Sequence, residues 1–123
     1  MLHTEYYKDG TPCECDEMHR VDFASGALWQ EIPYVNGERH GSIREYFESG
    51  ALSWVAPYVN GKEHGIEKGY YKSGVLASEI PYEKGRSHGI EQSYKENGSF
   101  IYAYVFVHGT YFPLVACPME HFL

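Results

Sequence analysis

Positive charge is scarce in this chain of 123 residues. Lys and Arg total 10 against 17 Asp and Glu, the formal net charge is −7, and the sequence pI is about 5.4. A nucleic-acid surface needs clustered Lys and Arg to displace counterions from phosphates. The basic residues here are scattered among acids, so direct DNA or RNA binding is not expected. An acidic surface suits a basic protein partner, because opposite potentials speed encounter. It also serves simply to keep a Tyr-rich sheet soluble. Cysteine is scarce too. Cys13, Cys15 and Cys117 make an odd number, which argues against a secreted disulfide framework and for a reducing cytoplasm. No run of about 18 apolar residues exists, so no membrane span is expected. The first residues, Met1 to Asp9, lack an apolar segment and carry acids, so a secretory signal is not expected either. Methionines number 3, against 13 Gly and 12 Tyr. That balance favours β-structure rich in turns over a helical bundle.

What the chain has instead is an internal period. Gly26, Gly50, Gly74 and Gly98 recur every 24 positions (50 − 26 = 24), as do Gly37, Gly61, Gly85 and Gly109. In the same register stand Pro33, Pro57 and Pro81; Tyr34, Tyr58 and Tyr82; His40, His64 and His88; Gly41, Gly65 and Gly89; and Tyr46, Tyr70 and Tyr94. Leu28, Leu52 and Leu76 form another column, with Phe100 fourth. Such self-similarity marks a repeat architecture. Residues 1–123 read as one repeat domain: a degenerate N-terminal unit (1–25), three regular units (26–98) and a divergent capping unit (99–123). Tyr6-Tyr7-Lys8-Asp9-Gly10 matches Tyr70-Tyr71-Lys72-Ser73-Gly74, but the first unit is about eight residues short. Atypical end units are what a stacked repeat needs to close its ends.

Each unit carries two turn signals about twelve residues apart. One is Glu48-Ser49-Gly50 and its equivalents; the other is Asn36-Gly37, Asn60-Gly61 and Lys84-Gly85. Asn-Gly is the favoured pair where a tight hairpin turn needs positive φ at both central residues. The predicted fold is therefore all-β: an elongated, single-layer antiparallel meander of hairpins. Strict alternation puts Leu52, Trp54, Ala56 and Tyr58 on one face, and groups Ile66, Lys68 and Tyr70 with them as the apolar, aromatic side. Glu67, Gly69 and Tyr71 then fall on the polar side. Proline cannot donate to a ladder, so Pro33, Pro57 and Pro81 are placed at a strand end or a bulge.

The run Tyr46-Phe47-Glu48-Ser49-Gly50-Ala51-Leu52, followed by Pro57-Tyr58-Val59-Asn60-Gly61-Lys62-Glu63-His64-Gly65, resembles the MORN repeat. It looks most like the bacterial variant found in YwqK-type antitoxin proteins. The resemblance covers roughly residues 22–112. It implies an elongated, twisted sheet of hairpins, and it implies neutralisation of a toxin as the function.

Candidate chemistry is thin. His40, His64 and His88 occupy the same loop of successive hairpins, about 10 Å apart for two strand spacings. Zinc holds nitrogens at about 2.0–2.1 Å, so these three cannot converge on one ion. Each is expected to bond within its own turn. Cys13-Glu14-Cys15 lacks the second pair of a metal site and reads as packing. Acid pairs such as Glu45 with Glu67 or Glu91 have no enclosing pocket on a flat sheet to shift their pKa values. No phosphate loop, nucleophile elbow or zinc helix is present. No enzyme, cofactor or metal is expected.

Aromatic residues in variable columns are the better candidates for a binding surface, because Trp and Tyr anchor interfaces. Trp29, Phe47, Trp54 and Tyr71 are such positions, and Phe106 joins them from the apolar last hairpin. That hairpin, 100–107 with 111–117, is expected to fold back over the sheet; the alternative is an interface, at a homodimer edge or a toxin contact. The expected function is a cytoplasmic antitoxin or immunity protein that binds a toxin of basic surface. The alternative is a scaffold that self-associates or touches lipid, the latter disfavoured by repulsion between −7 and anionic membranes.

Overall fold

The structure is a computed structural model that describes residues 5–107 and 110–113. Fourteen strands run in chain order: β1 (Glu5–Tyr6), β2 (Pro12–Cys13), β3 (Glu17–Asp22), β4 (Leu28–Val35), β5 (Glu38–Arg39), β6 (Gly41–Tyr46), β7 (Leu52–Val59), β8 (Lys62–Glu63), β9 (Gly65–Tyr70), β10 (Leu76–Glu83), β11 (Arg86–Ser87), β12 (Gly89–Tyr94), β13 (Phe100–Val107) and β14 (Thr110–Pro113). One 12-stranded sheet runs β3-β4-β6-β7-β9-β10-β12-β13-β14, with β5, β8 and β11 paired to β4, β7 and β10. Every pairing is antiparallel. The all-β hairpin meander expected from the period is the observed fold.

Two turn chemistries build each unit. Asn36 and Gly37 have φ of 50° and 79°, and Asn60–Gly61 and Lys84–Gly85 repeat this. These are the mirror-image hairpin turns whose twist matches that of the flanking strands. The other turn is longer. Phe47 N–H donates to Ala51 O at 2.8 Å and Gly50 N–H donates to Phe47 O at 2.9 Å, and Phe23, Tyr71 and Lys95 start the same pattern.

The prolines mark where pairing breaks. Tyr58 pairs with Glu63, and Val55 pairs with Lys68, so two residues of β7 face four of its partner. Within that gap His64 N–H donates to Pro57 O at 2.9 Å, and the missing proline donor has no acceptor to serve. Gly65 lies across the gap with φ +129°. A Cβ there would stand 2.7 Å from Pro57 Cγ, so only glycine lets the partner strand pass the ring.

The faces of the sheet are not those that strict alternation predicts. Glu45 pairs with Trp54 but Tyr46 pairs with Leu52, leaving Ser53 as the extra residue of a bulge. A bulge offsets the alternation by one. Leu52 therefore lies with Tyr46, on the side opposite Trp54, and the same shift recurs at Leu28, Leu76 and Phe100. Trp54 is level with Gly69, and Val55 with Lys68. Ile66, Lys68 and Tyr70 thus sit opposite Trp54, and Glu67 sits beside it. The Trp54 face carries Gln30, Ile32, Ile43, Glu45, Ala56, Tyr58 and Glu67. The Glu31 face carries Pro33, Arg44, Tyr46, Val55, Ile66 and Glu79.

Neighbouring units are stitched through their loops, and His40 and His64 do this work. Asn60 N–H donates to His40 Nδ1 at 3.2 Å, and Lys84 N–H donates to His64 Nδ1 at 3.3 Å. Asp16 holds the same place before them, accepting from Asn36 N–H at 3.0 Å. His40 and His64 therefore bond the turn of the next unit and not their own, while His88 Nε2 lies 3.8 Å from Glu83 Oε2 of its own hairpin. The turn's own strand bonds are satisfied internally, whereas its outward amide needs an acceptor from the preceding hairpin.

The first hairpin of the N-terminal unit leaves the sheet, while β3 stays in it. β1 and β2 pair only with each other, and their hairpin lies over the Glu31 face of the first regular unit. Tyr7, Cys13, Cys15 and Met18 form its buried cluster, with Val35 against it. Cys13 and Cys15 are joined by a disulfide. Burial of the pair agrees with the packing role read from the sequence; their covalent bond was not foreseen. At the far end, β13 pairs with β12 and β14 with β13. The last hairpin extends the sheet and does not fold back over it, because its register continues the meander. Residues 114–117 lie outside the described residues.

The stitch makes a direct prediction. Replacing His64 by Leu removes the acceptor of the Lys84 amide and costs about 1 kcal/mol. Replacing it by Asp, the residue already used at position 16, retains most of that. Urea unfolding midpoints of the two variants measure the difference, and equal losses would count against the stitch.

Candidate functional site

The five aromatics singled out in the sequence do not form one patch. Trp29 and Phe47 come together at the turn end of the first unit, lining a groove of about 420 Å³ with Phe23, Glu45, Ser53 and Lys72. Phe23 and Trp29 stack at 5.9 Å between ring centres. Trp29 reaches this position because it is the extra residue of the bulge between Leu28 and Gln30. Trp54 stands on the same side of the sheet, half-buried, level with Glu45 and Gly69. Phe106 is on that side too, opposite Gly89 at the far end. Tyr71 is committed to structure: its hydroxyl donates to Tyr94 O at 2.6 Å, bracing one turn against the next unit.

Between these ends lies a group that the sequence reading missed. One row across the Trp54 face runs Ile43, Ala56, Glu67, Ile80, Glu91, Tyr104. Ile43 and Ala56 are buried, at 3% and 0% exposure. The period then places Glu67 and Glu91 in the column that Ile43 fills with hydrocarbon. Glu63 enters from β8, paired with Tyr58, and Tyr58 O–H lies 3.4 Å from its carboxyl. In the preceding unit this place belongs to Arg39, whose guanidinium is 5.7 Å from the Tyr58 ring. A cation and then an acid thus occupy equivalent places between successive tyrosines.

The electrostatics follow from burial. Desolvation, with Glu67 hydrogen-bonded and repelling alongside, pushes the Glu63 carboxyl up to about 8. Desolvation and the charge of Glu67 raise Glu91 as well. Tyr82 is pushed up to about 12 by burial first and then by Glu67, Glu63 and Glu91. The expectation that a sheet face cannot perturb its acids is therefore wrong. Burial on this face removes enough water to do so. The signal was present in the sequence as the Ile43, Glu67, Glu91 column, but it was read on the wrong face.

A group of this kind can exchange a proton near neutral pH, and it offers carboxylates between aromatic rings to an incoming cation. It holds no metal constellation: among the described residues no three His, Cys, Asp or Glu side chains form a group able to hold an ion.

Glu63 also fixes a pH dependence. Its pKa rises from an ordinary 4.5 to about 8 on folding, so the folded state binds the proton more tightly. The stability it contributes is complete below the unfolded pKa and is lost as pH rises through the folded one. The unfolding midpoint should fall between about pH 5 and pH 9, and the fall should be shallower in Glu63→Gln. Thermal melts across that range test it; parallel curves for the two proteins would exclude Glu63 as the source.

Comparison with known proteins agrees with this architecture and goes little further. No curated protein matches the chain. Two crystal structures of TarM resemble it, one of them S. aureus TarM carrying a point mutation in complex with fondaparinux, alpha-GlcNAc-glycerol and UDP. Each is 18% identical, with TM-scores of 0.50 and 0.51, over 89% of this chain and 21% of that one. The complex of accessory secretory proteins 1, 2 and 3 from Streptococcus pneumoniae is 17% identical, with a TM-score of 0.47, over 86% of this chain and 20% of that one. This chain therefore spans about a fifth of the TarM chains, and the likeness is one of fold. At residues 63–84, from Glu63 through β9 and β10 to Lys84, the chain matches the MORN repeat variant.

Proposed function

We propose that this protein is a non-catalytic protein-binding module that acts as a cytoplasmic antitoxin or immunity protein, covering a toxin of basic surface. The observation that carries the reading is the composition of the Trp54 face. It presents Trp29 and Phe47 in a groove at one end, and desolvated carboxylates framed by tyrosines in the middle. Aromatic anchors with charge complementarity are what a specific protein interface uses. The net charge of −7 adds long-range attraction for a basic partner. Such a face needs no cofactor and no reacting side chain to block an active site. Cytoplasmic residence is part of this reading.

A second reading, a self-associating scaffold, is favoured by the sheet's two ends. Among the described residues β3 and β14 terminate the strand order, and a sheet edge is a template for another strand.

Co-expression with a toxin-like reading frame beside the gene separates the two. The antitoxin reading expects growth rescue and a tight complex that high salt releases. In that complex Trp29→Ala with Phe47→Ala weakens binding by at least about tenfold, the loss typical of interface anchors. Failure to rescue growth, with filaments or large oligomers forming at every salt concentration, would support the scaffold and end the antitoxin reading.

A further inference from the structure

The opposite face carries a second proposal, on residues separate from the Trp54 face. In the first regular unit that face is covered by the chain's own N-terminal turn, Tyr7-Lys8-Asp9-Gly10. Glu31, with 0% exposure, receives it. The Lys8 backbone N–H donates to both Glu31 oxygens, at 2.9 and 3.2 Å. Tyr46 O–H donates to the same carboxylate at 2.6 Å. The Lys8 ammonium lies 5.0 Å from the Tyr46 ring and donates to Gly50 O at 3.3 Å. Two contacts tune the fit: Arg44 pairs with Asp9 at 2.9 Å and stacks 3.8 Å from the Tyr7 ring.

Two periods on, the same features recur with nothing of the N-terminal turn above them. Glu79 stands for Glu31, Tyr94 for Tyr46, Gly98 for Gly50 and Pro81 for Pro33. Tyr94 O–H lies 3.3 Å from the Glu79 carboxyl but donates to Gln92 Oε1 at 2.6 Å, so Glu79 keeps acceptor capacity that Glu31 spends on Tyr46. Ile90 is 47% and Phe100 41% exposed beside them. The intervening unit breaks the pattern, because Val55 occupies the carboxylate position.

We propose that the Glu79–Tyr94 surface is a docking site for a reverse turn of a partner polypeptide. Its substitutions specify the occupant. Glu79 and Tyr94 retain the acceptor for a turn N–H and the ring for a cation. Arg44 has become Gln92, so the acid at the position of Asp9 loses its partner. Ser42 has become Ile90, which favours an apolar residue where Tyr7 stands. The ligand is thus a turn of the form apolar residue, Lys, neutral residue, Gly, the glycine serving the left-handed corner as Gly10 does at φ 88°.

The test uses the full chain, 15N-labelled, and a cyclised hairpin peptide displaying Phe-Lys-Asn-Gly at its turn. Amide shifts should centre on Ile90, Gln92, Tyr94 and Phe100. Glu79→Gln, which keeps size and shape, should weaken binding at least tenfold. Val55→Glu should create a second equivalent site in the middle unit, raising the stoichiometry from one to two. Absence of shifts at millimolar peptide overturns the proposal, as does undiminished affinity in a folded Glu79→Gln variant. Two other outcomes overturn it by naming a different occupant. One is a surface that becomes available only when residues 114–123 are deleted. The other is concentration-dependent pairing of the chain through this surface without peptide. Neither failure bears on the acidic, aromatic face.

Discussion

A single sheet has no second layer to bury itself against, and that constraint governs this molecule. Among the described residues the buried ones are few, and they gather near the first regular unit: Tyr7, Cys13, Cys15, Met18, Glu31, Pro33, Ile43, Tyr46 and Ala56. Elsewhere the sheet must hold together through strand ladders and the bonds between neighbouring units. The stitch from each hairpin turn to the Asp or His of the preceding unit serves this purpose. So does the Gly61 N–H to Arg39 O bond at 2.9 Å, repeated from Gly85 to Glu63. Each is local to two units, so stability accumulates along the chain as in other one-dimensional repeats.

The N-terminal turn shows how the array compensates at its start. Here the chain doubles over one face of the first regular unit. The contact is polar at its centre. Glu31 is wholly withdrawn from water and survives there because Lys8 N–H, Tyr46 O–H and the Arg20 guanidinium at 3.3 Å surround it. A buried carboxylate with its acceptors filled fixes one arrangement, whereas an apolar patch would accept several. Burial and the bond to Glu31 push the Tyr46 hydroxyl up to about 12, which keeps it a donor at any physiological pH.

The period, both turn types and the antiparallel meander were legible in the sequence, because glycine and Asn-Gly positions report backbone conformation directly. The prolines were legible for the same reason. The faces were not. Alternation counts residues, and a bulge at Ser53 and its equivalents silently shifts the count. Leu52 and Trp54, two positions apart, therefore face opposite ways. The partner of His64 was not legible either, since it lies 20 residues ahead in the next hairpin, where no pattern within one unit points. As for the candidate surface, the aromatic residues were visible as irregularities in their columns. Only three-dimensional register separates Trp29 and Phe47, which share a groove, from Tyr71, whose hydroxyl is spent on Tyr94.

The placement of Glu67 and Glu91 is the part that stability alone does not account for. Their column is filled by Ile43 in the first unit, where it is nine-tenths buried and more. An isoleucine at position 67 would remove the repulsion that Glu67 adds to the desolvation of Glu63 and Glu91. The sheet would gain from that exchange, since desolvating a charge is costly unless it is paired. Surfaces that retain such locally unfavourable groups are where binding is concentrated. If the protein binds a basic partner as proposed, a cation brought to this group would relieve its carboxyls. On the proposed binding function, free energy withheld from folding in the middle of the sheet would be available to association, and the aromatic groove at one end of the same face would supply the apolar contact.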